Sequence, residues 1–316
     1  MALTPYFVRP ARPTFQKMRA AIRILKNAGM LIKDAVLGFI EDDALSRGAS
    51  IAYYALFMLV PVLLIVIAVA AIAFGREAAE GSIVAQMSGL MGSKSAEALQ
   101  AMIDSANHPG GGTLAAILGL SATIFAVTGI FGEVQTALNT IWKASPRSST
   151  LSRLVRARLV SLGLVVIAGF LLMISLAVSA GLAALGSYLK SNFPGFEVIS
   201  GLFEFVISVA LTASLFAAMY KVLPDTPITW RDVLIGALVT TGLFQGGKYL
   251  IALYIGRSDI ASSYGAAGAL IVVLLWIFYT AQIFLLGAEF THAFATRYGS
   301  HAVPEGIAER SDPAGN

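Results

Sequence analysis

Six polar side chains stand inside stretches that are otherwise apolar: Glu204, Gln245, Lys248, Tyr249, Gln282 and Glu289. An ionisable group in the apolar phase of a bilayer costs a few kcal/mol or more, so each one needs a partner or a purpose. Lys248 lies four residues past the midpoint of its stretch, near Phe244. Glu204 lies five residues from the midpoint of the preceding stretch, near Val209. At the helical rise these offsets are about 6 Å and about 7–8 Å, toward the same side. A short turn joins the two stretches, so they form antiparallel neighbours, and Glu204 and Lys248 fall at matching depth. They can pair, or both can snorkel outward. Gln245, Lys248, Tyr249 and Ala252 share one face by their three-and-four spacing. Gln282 and Glu289 are seven apart and share a face of the last stretch. A polar bundle interior of this kind serves as a conduction path or as interhelical hydrogen bonding.

Other chemistry is excluded. The chain has no cysteine, which removes disulfides, thiolate zinc sites, iron–sulfur clusters and cysteine nucleophiles. Its three histidines, His108, His292 and His301, are scattered, so no metal cluster is expected. No P-loop, GxSxG or HExxH pattern occurs. The expectation is a protein without cofactor that is not an enzyme.

The elements that carry these residues follow from composition. Hydrophobic residues make up 57% of the 316 and charged ones only 13%, against about 25% charged in an ordinary soluble domain. A spanning helix needs about 20 mostly apolar residues. Six stretches qualify, at 49–74, 113–131, 159–185, 198–220, 233–255 and 266–291. None alternates as a membrane β-strand does. The fold class expected is therefore all-α, a polytopic membrane bundle of six transmembrane helices with amphipathic interfacial helices.

Lys and Arg in the connections set the orientation. Eight lie before the first stretch, five between the second and third, two between the fourth and fifth, and two in the tail. Only Arg76, Lys94, Lys190 and Arg257 lie on the other side. Both termini are expected in the cytoplasm. The same bias explains the net charge of +4 without nucleic acid as a partner.

Outside the stretches, 1–48 is a basic amphipathic segment. Phe15, Met18, Ile22 and Leu25 are spaced for a helix, with basic residues between them. Such a helix lies on anionic headgroups of the cytoplasmic leaflet or packs under the bundle. Asp43 and Arg47 are four apart and can steady the helix start, while Tyr53, Tyr54 and Trp142 suit an interface. Pro61, mid-stretch, is expected to kink its helix. Val134, Ala137, Leu138, Ile141 and Trp142 make one apolar stripe, ended by Ser145-Pro146. The connection 76–112 reads as an external helical hairpin. Residues 296–316 read as a disordered cytoplasmic tail.

The run from Asp42 to Phe57, closing on Val60-Pro61, resembles the opening of the YihY/BrkB membrane proteins. So do Ala137 to Trp142, Leu223-Pro224-Asp225 with Trp230-Arg231-Asp232, and a final set of Tyr264-Gly265, Gly268, Leu275-Trp276 and Leu286-Gly287-Ala288-Glu289. The resemblance covers roughly 30–295 in consistent order. It implies a bacterial inner-membrane protein of six helices, without a settled activity. Some members look to be linked with resistance to host killing. Others carry the label ribonuclease BN, which this sequence argues against, since its histidines cannot assemble a hydrolytic zinc site. Two functions stay open. One is a transporter or lipid-handling protein using the polar interior. The other is a non-transporting envelope scaffold that contacts anionic lipid. The sequence leaves oligomeric state open.

Overall fold

The computed structural model of the chain describes residues 13–91, 129–144, 196–257 and 266–300, with short helical pieces between 96 and 104 and between 163 and 182. The described residues are helices joined by short turns, with no strand among them. The stretch expected at 113–131 lies largely outside the described residues, the one at 159–185 is described only in pieces, and 1–12 and 301–316 lie outside them.

The helix α1, Pro13–Glu41, runs into α2, Ala44–Phe74, through a break at Asp42 and Asp43. Asp43 has φ 52° and ψ 40°, the left-handed region, which short polar side chains tolerate better than bulky ones. Its carboxylate takes the Ser46 hydroxyl at 2.9 Å, and Arg47 donates Nε to the Asp42 carbonyl oxygen at 3.1 Å. Arg47 thus serves the break through a backbone acceptor rather than through the Asp43 carboxylate. Further along, α2 bends by 44° between Ala44–Leu59 and Pro61–Ile72. Pro61 lacks the amide donor and its ring clashes with the preceding turn, which accounts for the bend.

A short helix, α3 at Arg76–Met91, folds back on the far half of α2. Ile83 joins Leu63, Val66 and Ile67 of α2 in a small core, together with Ile103. Next come α4 (residues 129–141), α5 (Phe196–Val222), α6 (Trp230–Arg257) and α7 (Ala266–Tyr298). Val198–Val222 and Leu270–Tyr298 are each long and apolar enough to cross a membrane, and the two halves of bent α2 pass together as a third span.

At 33 residues, roughly 50 Å, α7 is the central element and packs against α1, α2 and α6. Its antiparallel register on α6 comes from small residues. A Cβ at Gly236 would lie 1.8 Å from the Thr291 hydroxyl, and one at Gly287 would lie 1.9 Å from the Thr240 hydroxyl. Glycine at these points lets the backbones approach. The threonines are satisfied within their own helices. Thr240, Thr241 and Thr291 donate to the carbonyl four residues back at 2.8, 2.7 and 2.6 Å. From α5, the Tyr220 hydroxyl donates to the Phe284 carbonyl at 2.7 Å and sits 3.0 Å from Thr240 Oγ1. Phe216, Phe244, Trp276 and Phe284 fill the space around it.

The stripe of α4 is buried throughout and joins this core. The boundary drawn at 296 moves: α7 stays helical to Tyr298, because Arg297 pairs with Asp34 of α1 at 2.8 Å and Ser300 bonds Asp232 of α6.

Candidate functional site

The break between α1 and α2 lies against α7, and both helices follow α7 in the antiparallel sense. Gln282 of α7 donates Nε2 to the Leu45 carbonyl of α2 at 3.1 Å. A Cβ at Gly48 would lie 2.2 Å from that nitrogen, so glycine makes the room. Two turns further along α7, Glu289 is only 2% exposed. Its Oε2 would lie 2.4 Å from a Cβ at Gly38 of α1. The remaining oxygens, Gln282 Oε1 and Glu289 Oε1, are buried without a hydrogen-bond partner. Leaving such a group unpaired costs about 1–3 kcal/mol, more for a charge.

Around Glu289 the structure opens a cavity of about 570 Å³. Asp34, Gly38, Glu41 and Asp42 line it from α1 and the break, Lys143 from the end of α4, and Glu289, His292 and Arg297 from α7. The Asp42 carboxyl lies within hydrogen-bonding reach of Glu289 and also holds the Lys143 ammonium. Behind the wall, Trp142 packs edge-on against His292 at 5.2 Å between ring centres. Among the described residues no three His, Cys, Asp or Glu side chains are arranged to hold a metal ion.

The residues singled out from sequence divide between interior and surface. Gln245 is buried, and the α6–α7 register puts it level with Gln282. Lys248 is half-buried, while Tyr249 is 68% exposed and Glu204 is exposed. The boundary between packed and exposed surface therefore falls within the face that Gln245, Lys248 and Tyr249 share. Trp142 is corrected. It is buried in the core beside His292 instead of anchoring an interface. Tyr53 does lie on the surface, edge-on to Tyr54 at 5.7 Å and to Phe57 at 5.0 Å. The pairing of Asp42 with Lys143 had one signal in the sequence: Asp42 opens one of the runs that carry the family resemblance, and Lys143 directly follows another.

Those runs meet in space. Asn139 of α4 donates Nδ2 to Asp225 Oδ2 at 2.9 Å and accepts the Asp225 amide on Oδ1 at 2.8 Å. Gln135 adds a bond to the same carboxylate at 3.3 Å. A family model described as virulence factor BrkB matches residues 35–311, which takes in all of these contacts. The chain belongs to the virulence factor BrkB family. Like its YihY relatives, it is an integral membrane protein.

This BrkB-family chain is 27% identical over 273 residues to a UPF0761 membrane protein of Psychrobacter, covering 84% of this chain and 48% of that one. It is 34% identical over 161 residues to one of Klebsiella pneumoniae, at 50% and 53% coverage. It is 32% identical over 160 residues to the UPF0761 membrane protein YihY of Salmonella typhimurium, at 50% and 52%. The chain spans about half the length of the curated relatives it matches. No solved structure matches it.

At the α1 end of this BrkB-family bundle, Asp232 makes a second polar knot. It is almost fully buried and accepts the Ser300 amide at 3.0 Å and hydroxyl at 2.6 Å. Burial works to raise its pKa. The bonds from Ser300 and Thr229, with the Arg231 charge, outweigh burial and hold the carboxyl below its ordinary 3.8.

Proposed function

We propose that the protein is a multi-pass protein of the bacterial inner membrane, its α1 end in the cytoplasm, that passes a small polar solute or a lipid headgroup along the seam between α7 and the α1–α2 break. The observation that carries this reading is Glu289: a carboxylate, nearly inaccessible, with one oxygen unpaired, at the wall of a cavity. Intramembrane ionisable groups that lack a structural partner mark substrate or proton routes. Gln282 continues the polar line two turns into the bundle, and the bend at Pro61 gives α2 a point about which to move. No catalytic step and no cofactor belong to this reading.

The test is reconstitution into proteoliposomes with a panel of ions, small solutes and fluorescent lipids. Flux above empty vesicles is expected, and it falls with Glu289→Gln and with Gln282→Leu. Folded protein that gives no flux for any member of the panel sinks the reading.

The close aromatic packing among α5, α6 and α7 favours a second reading, a scaffold without a conduction path. Its contact surface is α1, where Ile32, Val36 and Ile40 are exposed along one stripe beside exposed Lys26 and Lys33, suited to an anionic leaflet. Deleting residues 1–35 then abolishes the cellular phenotype while the bundle still inserts. A truncated chain that works normally rules out that surface.

A further inference from the structure

Two residues other than glycine have positive φ among the described ones, Asp43 at 52° and Lys143 at 48°. They lie on either side of one ion pair, Asp42 with Lys143, and each ends a helix. At the end of α4 the Lys143 amide donates to the Thr140 carbonyl at 3.0 Å and the Ala144 amide to the Asn139 carbonyl at 2.8 Å. In that closure glycine is the usual left-handed residue. At the end of α1 the Asp42 amide donates to the Gly38 carbonyl at 2.8 Å and the Asp43 amide to the Ile40 carbonyl at 3.3 Å. A side chain in the left-handed region is strained, and it persists where its surroundings fix it. Glycine would suit the backbone of Lys143 better, but would lose the ammonium that holds Asp42.

The helix α1 has a narrow apolar hold on the bundle. From Lys26 to Glu41 its buried side chains are Leu31 and Ala35, with Phe39 partly buried against the core. Ile32, Val36 and Ile40 are exposed. Two ion pairs add to the hold: Asp42 with Lys143 at the break, and Asp34 with Arg297 at 2.8 Å. Along α1 they are eight residues apart, about 12 Å. The cavity lies along that interval, with Leu37, Gly38 and Glu41 on its α1 wall and His292, Ala293 and Thr296 on its α7 wall. Both cations are partly exposed, so each pair is weak and screened by salt. Contacts of that strength can release without unfolding the core.

We propose that α1 is a hinged arm that closes the cavity. It turns at Asp42 and Asp43; the Asp42–Lys143 pair pins the hinge, and the Asp34–Arg297 pair clamps the arm onto α7. A few residues at the end of an element can absorb such a change of backbone angles. With both pairs released, α1 swings from α7 and the cavity loses one wall. This goes beyond the path proposed above and holds whether or not a solute passes.

The experiment uses the full chain in nanodiscs, where the absence of native cysteine leaves introduced ones as the sole sites for spin labels. One pair, Ile32→Cys with Leu234→Cys, joins the arm to α6. A reference pair, Ala49→Cys with Leu234→Cys, joins α2 to α6, and all three positions are exposed. Ile32 is about 15 Å from the break along the helix, so a turn of about 20° moves it by about 5 Å. Pulsed electron paramagnetic resonance reads the distance distributions. At low ionic strength the arm pair should give one dominant short distance. Lys143→Gly with Arg297→Gln should raise the fraction of longer distances about threefold or more, as high ionic strength does in the unsubstituted background. The reference pair should not change. Asp34→Arg with Arg297→Asp reverses the clamp and should restore the short distance that Arg297→Gln alone loses.

Identical arm distributions in the released variant and the unsubstituted background overturn the proposal. An equal change in the reference pair overturns it, because the whole bundle has then loosened. A reversed clamp no better than Arg297→Gln overturns it too. Should the released variant not fold, the salt series decides: a long-distance fraction that rises with ionic strength supports the hinge, and a constant one overturns it. Distances are read without flux, so the arm can fail while the path survives, and the reverse.

Discussion

Asn139 and Asp225 hold each other by two hydrogen bonds across 86 residues, one from the Asn139 amide to the Asp225 carboxylate and one from the Asp225 backbone to the Asn139 oxygen. The side-chain amide thereby acts as a peptide group would, and pins the α5–α6 turn to the end of α4. The flanking Leu223 and Ile228 are buried, so the pair fixes the direction in which α6 re-enters the bundle.

Removing either partner takes hydrogen bonds from the other. Asn139→Ala is expected to cost about 1–3 kcal/mol, since it removes the shorter of two side-chain bonds to a half-buried carboxylate and the bond that the Asp225 amide makes. Asp225→Ala should cost a similar amount. The double variant should cost little more than either alone, because the two changes break one unit. Thermal unfolding in detergent of the four chains reads this directly. Additive losses would show that the pair does not act as a unit.

The approach of α6 to α7 is the second point of leverage. Gly287→Ala puts a methyl where the Thr240 hydroxyl and the Tyr220 hydroxyl now lie, at 1.9 and 2.6 Å from the new carbon. Overpacking of this kind costs roughly 1–3 kcal/mol. Adding Thr240→Ala should recover part of it, because the nearer obstacle is gone, although Tyr220 then loses a hydroxyl neighbour. The unfolding midpoint should rank wild type, then double variant, then Gly287→Ala. A double variant below the single one refutes the steric account.

How much of this was legible depends on whether a feature is periodic along the chain or distant across it. The α4 stripe of Val134, Ala137, Leu138, Ile141 and Trp142 was readable because helical spacing forces those side chains to one side, and all are buried. The same spacing grouped Gln245 with Tyr249, one buried and the other exposed. Periodicity gives the direction of a face but not its width, which depends on how closely the next helix approaches. The pairing of Asp42 with Lys143, 101 residues apart, leaves no periodic trace. Nor does the meeting of Gly38 with Glu289, which looks from sequence like an ordinary glycine and an interfacial carboxylate.

Lys143 offers a test of the charge balance beside that meeting point. Lys143→Ala takes from the buried Asp42 carboxylate the cation it is paired with. A buried carboxylate without its partner is disfavoured, so stability at neutral pH should fall. The ammonium is largely exposed, which screens its contribution to about 1 kcal/mol or less. Asp42→Asn in the same chain removes the unpaired charge, and the double variant should unfold at a higher temperature than Lys143→Ala. If it unfolds lower, the Asp42 charge is needed for another contact.

Asp232 sets a pH limit on the α1 end of the bundle. Its folded pKa lies below the ordinary 3.8, so the folded state favours the carboxylate more than the unfolded chain does. A depressed carboxyl contributes stability that is fully present above the unfolded value and is lost as pH falls through it toward the folded one. The link from Ser300 to Asp232 should therefore hold at pH 7 and release only below about pH 4. Asp232→Asn keeps the shape and removes the charge. At pH 7 it should lower the unfolding midpoint, since hydrogen bonds to a charged acceptor are worth about 1.5–3 kcal/mol and to a neutral one less. Toward pH 3 the two chains should converge, because the wild-type carboxyl is then protonated in the unfolded state and increasingly so in the folded one. A difference that stays constant from pH 7 to pH 3 means that the charge of Asp232 contributes nothing, and that Ser300 is held by the shape of the turn alone.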